Sequence, residues 1–93
     1  MQEITTKIGQ KFVLEVNSNP TTGFRWYPKF DTSALELLSS RFEPDSELTG
    51  SPGSQLLEFG TLKAGDFEIG LAYKRSWEPE AAKLERWVVH VKP

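Results

Sequence analysis

Apolar residues recur at every second position through most of the chain, a spacing typical of β-strands and not of helices. The clearest run spans residues 67–74, where Phe67, Ile69, Leu71 and Tyr73 alternate with polar or small residues. Shorter runs of the same kind occur elsewhere, and the pattern predicts about seven strands in all, at residues 3–7, 11–17, 24–27, 37–42, 55–62, 67–74 and 84–92.

Three longer segments rich in Pro, Gly and polar residues separate these runs, at 19–24, 43–54 and 75–83. Short strands divided by such turn signals indicate an antiparallel β-sandwich. The chain has no cysteine, so we expect an all-β, immunoglobulin-like sandwich without a disulfide, with Trp26 in its core. At 93 residues, the whole chain, 1–93, is expected to form one domain.

Three local sequence signals predict departures from this simple pattern of strands. Ser33 to Glu36 fits a helix capping box, which predicts one helical turn there. Pro28 predicts that its strand lies at a sheet edge or a bulge. A helix over residues 80–83, after Pro79, is a competing and less favoured interpretation of the last long loop.

Composition and charge exclude several classes of protein. An apolar content of 38% excludes a disordered chain. A net charge of −2 gives no basic footprint for nucleic acid, and no apolar run approaches membrane-spanning length. The start of the chain lacks the features of a signal peptide, so we expect a cytoplasmic protein or the mature form of an exported one. We expect it to be a monomer.

Catalytic chemistry is poorly represented. His90 is the only histidine, it is predicted to lie on the surface, and no residue spacing suggests a serine triad. One histidine and no cysteine make a transition-metal site unlikely to form. Glu43, Asp45 and Glu47 do not fit the calcium-loop pattern and are predicted to form a solvated face. We therefore expect neither an enzyme nor a cofactor.

Loops after the second, fourth and sixth strands of such a sandwich emerge at the same end, as in antibody variable domains. The first contains Pro20, which fixes its own φ, and Gly23, which permits a positive φ. The third carries Trp77 and Arg75, residue types enriched at binding hot spots. These features predict a binding edge, although Trp77 could instead cap the open end of the core.

In these loops the chain resembles the chagasin-type inhibitors of papain-like cysteine peptidases. The first loop is identical to the first signature of that family, the second occupies the place of a glycine-rich loop, and the third is similar to an Arg-Pro-Trp motif. Ser76 stands where the family usually has Pro, and Pro52 interrupts the glycine-rich motif. The residues concerned are Asn19, Pro20, Thr21, Thr22, Gly23 and Phe24 in the first loop; Leu48, Thr49, Gly50, Ser51, Pro52 and Gly53 in the second; and Arg75, Ser76, Trp77 and Glu78 in the third.

The resemblance implies a protein that wedges three loops into the active-site cleft of a papain-like or cathepsin-L-like peptidase. Thr21 would lie nearest the catalytic thiolate, and Gly23 would allow close backbone approach. The second loop would follow the non-primed subsites, and Trp77 would pack on the primed side with help from Arg75. The alternative function is a non-catalytic sandwich module that binds another protein or a carbohydrate.

Overall fold

The computed structural model describes residues 2–19, 23–46 and 52–93. They form seven strands in two sheets, and within these ranges no helix has the length and apolar character needed to cross a membrane. The strands are β1 (Gln2–Lys7), β2 (Lys11–Ser18), β3 (Phe24–Lys29), β4 (Leu35–Pro44), β5 (Gly53–Thr61), β6 (Gly65–Arg75) and β7 (Lys83–Lys92).

One sheet has the strand order β1-β7-β6-β3 and the other the order β2-β5-β4. All neighbours are antiparallel except β1 and β7, which are parallel. This arrangement confirms the predicted immunoglobulin-like sandwich. The strand β3 ends its sheet, so Pro28 lies on an edge strand as predicted, where its missing N–H interrupts no inner ladder.

The core lies between the sheets and is built from the alternating positions that the sequence marks out. Phe59 on β5 is fully buried, stacks on Phe12 at 5.4 Å between ring centroids and receives the edge of Phe30 at 5.1 Å. Such aromatic pairs add to the free energy gained from burying their area. The buried apolar residues are Phe12, Leu14, Val16, Trp26, Ala34, Leu35, Leu57, Phe59, Ile69, Leu71, Val89 and Val91.

The helical turn predicted from Ser33 to Glu36 is wrong. The carbonyl of Asp31 accepts from the backbone N–H groups of Ala34 and Leu35, so one tight turn forms earlier. A carboxylate oxygen of Asp31 also accepts from the hydroxyl of Ser33 and from its backbone N–H, and these two hydrogen bonds, the first above all, lower the pKa of Asp31. Leu35 is fully buried in β4, because its apolar side chain packs better in the sheet than in an isolated exposed turn.

The strand β4 carries a bulge, since its pairing with β5 shifts by one residue between Leu37 and Ser39. Side chains alternate along a strand, so a shift of one residue exchanges its two faces. After the bulge, Ser40 pairs with Leu57 and Phe42 pairs with Gln55, the inward residues of β5. The bulge therefore turns a serine and a phenylalanine toward the space between the sheets.

Gln55 joins the two sheets at this edge. Its side-chain carbonyl accepts from the backbone N–H of Trp26 at 3.0 Å, and its amide nitrogen donates to the Trp26 carbonyl at 3.0 Å. The same nitrogen donates to Ser40 Oγ at 3.2 Å. The side chain thus satisfies both backbone groups of Trp26 on the free side of an edge strand, where unpaired groups would otherwise invite aggregation.

Gly53 is the first residue of β5 and pairs with Ser18 on one side and Pro44 on the other. A β-carbon built at Gly53 would lie 2.2 Å from the carbonyl oxygen of Glu43 and 2.7 Å from Pro44 Cα, both backbone atoms. Gly53 thus begins β5 where the second loop ends. Glycine is needed here because the neighbouring backbone lies too close for any side chain.

We expect Gly53→Ala to lower the free energy of unfolding by about 1–3 kcal/mol, the usual cost of overpacking. Gly70→Ala is the matched control, because its β-carbon would meet only the Lys29 carbonyl, at 3.9 Å, and alanine there should be neutral or mildly stabilising. Urea unfolding midpoints measure both. Equal midpoints for the two variants would contradict the crowding at Gly53.

His90 lies on the outer face of the β1-β7-β6 sheet between two carboxylates. Its Nδ1 is 2.7 Å from Asp66 Oδ1 and its Nε2 is 3.3 Å from Glu3 Oε1. The hydrogen bond to Asp66, followed by that to Glu3, raises the pKa of His90 above its ordinary value of 6.5. The histidine is partly exposed, as predicted, and links three strands.

Because the folded protein raises this pKa, protonation of His90 stabilises the fold below the unfolded pKa. That contribution is lost as pH rises through the folded pKa. We therefore expect His90→Gln to cost more stability at about pH 5.5 than at about pH 8.5. Urea midpoints at both pH values test this, with Arg86→Gln as a control on the same face whose cost should not depend on pH. A cost of His90→Gln that is equal at both pH values would refute the link.

Candidate functional site

The connections that follow β2, β4 and β6 leave the sandwich at one end, where the described residues that flank them lie close together, as the strand order predicts. We call them together the three-loop edge, residues 19–23, 45–52 and 76–82. A depression of about 390 Å³ lies between their roots, and its described lining residues come from the first two loops and from the strands β2, β5, β6 and β7 that flank the three loops. The lining residues are Asn17, Ser18, Asn19, Asp45, Pro52, Gly53, Tyr73 and Lys83.

The first loop is fixed at its root by Trp26. The indole Nε1–H of this buried side chain donates to the Asn17 carbonyl at 2.7 Å, just before the loop begins. Gln55 holds the Trp26 backbone from the opposite sheet. The residues before and after the loop are thus held by one side chain that cannot move without disrupting the core.

Tyr73 on β6 supports the first loop and also fixes the third. Its ring stacks on Phe24 at 5.1 Å and lies 4.8 Å from the Trp26 ring, while its hydroxyl accepts from the Asn19 N–H at 3.4 Å. Its backbone carbonyl accepts from the N–H of Ala82 at 2.8 Å, near the end of the third loop. One residue therefore fixes the spacing of two loops.

Arg75 connects the side chains of the first and third loops. Its guanidinium carbon lies 4.6 Å from the centroid of the Phe24 ring and 5.8 Å from that of Trp77, both within cation–π range. A guanidinium nitrogen is 3.7 Å from a carboxylate oxygen of Glu78, and the Glu78 N–H closes a turn onto the Arg75 carbonyl at 3.1 Å. These contacts tie the turn at the start of the third loop to Phe24, and the turn forms although position 76 is Ser.

Trp77 projects from this turn with 71% of its surface exposed, so it does not cap the core. One side of the Trp77 indole nevertheless lies close to Gly23 of the first loop. A β-carbon built at Gly23, where φ is +81°, would lie 3.4 Å from the Cη2 atom of Trp77. The glycine therefore allows the first loop to lie against the indole, and the opposite face of the ring remains available to a partner.

Several predicted site residues lie outside the described residues: Pro20, Thr21 and Thr22 in the first loop, and Leu48, Thr49, Gly50 and Ser51 in the second. Glu47 does as well. Two boundaries also differ from prediction, because Arg75 ends β6 and the second connection is shorter, spanning 45–52. The Asp45 N–H donates to the Pro52 carbonyl at 3.0 Å and closes the base of that connection.

Sequence reasoning missed Tyr73 and Gln55 as residues that position the loops. A signal for Gln55 was present, since it is polar at an inward position of a strand whose other inward residues include Leu57 and Phe59. Within the part of the chain that the structure describes, no cluster of three or more metal-ligating side chains is present.

Comparison with known proteins agrees with this geometry. Residues 5–91 match the family model described as "Chagasin family peptidase inhibitor I42". The chain is 32% identical to chagasin of Trypanosoma cruzi over 95 residues, which covers 96% of this chain and 86% of that protein.

Two solved structures share the fold. The cysteine protease inhibitor EhICP2 from Entamoeba histolytica has a TM-score of 0.79 at 21% identity and covers 98% of this chain and 95% of its own. PbICP-C, solved in complex with falcipain-2, has a TM-score of 0.61 at 16% identity, with 98% and 87% covered. On the family match and the chagasin relative, the chain belongs to the chagasin family of peptidase inhibitors, which confirms the prediction of an inhibitor and not an enzyme.

Proposed function

We propose that this chain acts as a single inhibitory domain that blocks papain-like cysteine peptidases reversibly and tightly by inserting the three-loop edge into the active-site cleft. One observation carries the proposal: the loop roots are fixed to the core at one end of the sandwich, and an exposed Trp77 projects there. A surface ordered before binding loses less entropy in the complex.

The first loop would obstruct the catalytic cysteine and histidine of the peptidase, with Thr21 nearest the thiolate. The roots at Asn17, Asn19 and Phe24 are held by Trp26 and Tyr73. A loop held in this way resists the backbone adjustment that would bring a carbonyl into attack geometry. It therefore occupies the cleft without becoming a substrate.

The third loop would supply the energetic anchor. Trp77 has the residue type and the exposure of a hot spot, and Arg75 stiffens its turn through Phe24 and Glu78. The indole would pack on aromatic surface on the primed side of the peptidase. The second loop, from Leu48 to Gly53, would run along the non-primed subsites, where its base is closed by the contact between Asp45 and Pro52.

The energetics permit tight binding. A standard interface buries about 800 Å² on each partner, and nanomolar affinity corresponds to about 12 kcal/mol. Area alone does not give that value, because association also costs translational and side-chain freedom. The fixed roots and the stacked arginine reduce the second cost, which is how a small edge can reach the required affinity.

We expect the protein to inhibit papain and a cathepsin-L-like enzyme competitively in assays with a fluorogenic peptide substrate. Trp77→Ala should weaken inhibition by about 2 kcal/mol, roughly 30-fold in the inhibition constant. Leu84→Ala is the matched control, since Leu84 is equally exposed at 76% but lies on the outer face of β7, and it should leave the constant unchanged.

Equal losses for the two variants would show that Trp77 is not an anchor. Absence of inhibition by the unaltered protein at micromolar concentration would favour the alternative function, a sandwich module for another protein or a carbohydrate.

Gly23→Ala should raise the inhibition constant, because φ is +81° at this residue, which strains any side chain there, and the new methyl group would lie in van der Waals contact with Trp77. Gly9→Ala is a closely matched control. Gly9 has a φ of +87° with nothing within 4 Å of its β-carbon, and it lies in the turn between β1 and β2 at the opposite end. Both variants should lose similar stability in urea, whereas only Gly23→Ala should lose inhibition. Unchanged inhibition by Gly23→Ala would contradict placement of this loop in the cleft.

A further inference from the structure

A second cavity lies beside the three-loop edge, and the proposed insertion of the loops does not use it. It measures about 170 Å³ and opens where β3 and β4, the end strands of the two sheets, face each other. Among residues 2–19, 23–46 and 52–93, its lining comes from four strands: Ser18, Arg25, Ser40, Arg41, Phe42 and Gln55. We call it the edge cleft.

The polar groups of the edge cleft are organised to donate hydrogen bonds. The Gln55 amide is already occupied by both backbone groups of Trp26 and by Ser40. Because Ser40 Oγ accepts from Gln55, its own hydroxyl hydrogen is left to donate elsewhere. Ser18 is buried and brings a second hydroxyl. None of the six lining residues carries a carboxylate.

The charged groups of the cleft are two guanidinium groups. Arg41 uses only its Nε, 3.4 Å from Glu43, and this exposed pair contributes little, so the remaining N–H groups of Arg41 stay available. For Arg25, no carboxylate lies within 4 Å among residues 2–19, 23–46 and 52–93. Two arginines around one small polar cavity favour a planar or tetrahedral oxyanion, which guanidinium groups bind in pairs of hydrogen bonds.

We propose that the edge cleft binds one small oxyanion: a carboxylate, sulfate or phosphate group. The apolar wall formed by Phe42 would strengthen the interaction by limiting the access of water. The anion has two possible sources, a free ion or an acidic side chain on the rim of a bound peptidase. The second source rests on the proposed function, since Ser18 and Arg25 lie next to the two ends of the first loop.

An NMR titration of the ¹⁵N-labelled protein tests the site directly. Sodium sulfate and sodium acetate are added at constant ionic strength, with chloride as the replaced ion. We expect saturable shifts of the Arg25 and Arg41 Nε–H signals and of the Gln55 side-chain amide. Arg25→Gln should weaken sulfate binding about tenfold or more. Lys29→Gln, the same loss of charge on the same strand but outside the cleft, should not.

The proposal is overturned if the shifts grow without saturation, or if Arg25→Gln and Lys29→Gln weaken binding equally, because either result describes general attraction to a charged surface. Since this measurement contains no peptidase, its outcome is independent of whether the protein inhibits one.

Inhibition assays then separate the two sources. If an acidic side chain of the peptidase occupies the cleft, sulfate should raise the inhibition constant of the unaltered protein and have no such effect on Arg25→Gln. If the cleft holds a free ion, sulfate should bind in the NMR titration while the inhibition constants of the two proteins stay equal.

Discussion

The arrangement of the loops depends on how Trp26 is held. Its backbone is bound by the Gln55 side chain from the other sheet, and its indole N–H binds the Asn17 carbonyl across the base of the first loop. These are buried or partly buried groups, and leaving one of them unpaired would cost its full desolvation penalty. The sheet-to-sheet spacing and the entry of the first loop are therefore set by the same side chain, so the core and the binding edge are mechanically one unit.

The loops of the three-loop edge are positioned by side chains that do not cover the outer surface of the edge. Tyr73 supports the first loop from below, and Arg75 stacks on Phe24 while pairing with Glu78. Trp77 itself remains open to solvent on the side away from Gly23. In the proposed complex, the peptidase would cover this indole.

Period-two alternation was enough to predict the seven strands and the sandwich, because each strand buries one face. It failed where a local contact overrides the pattern. The Asp31 carbonyl closes the turn that Ser33 was expected to begin, and the shift after Leu37 needs knowledge of the partner strand. The close approach that requires Gly53 is between β5 and the facing end of β4, and no property of its immediate neighbours in the sequence reveals it. The sequence motifs were enough to locate the loops. Tyr73 and Gln55, which position the loops, act through contacts with residues far away in the sequence, and the motifs do not reveal such contacts.

The direction of β7 bears on how the protein can be handled. This strand starts at Lys83 beside the third loop and runs away from it to Lys92, where the Lys92 carbonyl accepts from the Ile8 N–H at 2.8 Å. An affinity tag, fluorophore or fusion partner attached after the last strand would therefore sit at the pole opposite the three-loop edge. Immobilising the molecule through that end would orient the three-loop edge of every copy toward solution, which is the geometry that capture of a partner at that edge would need.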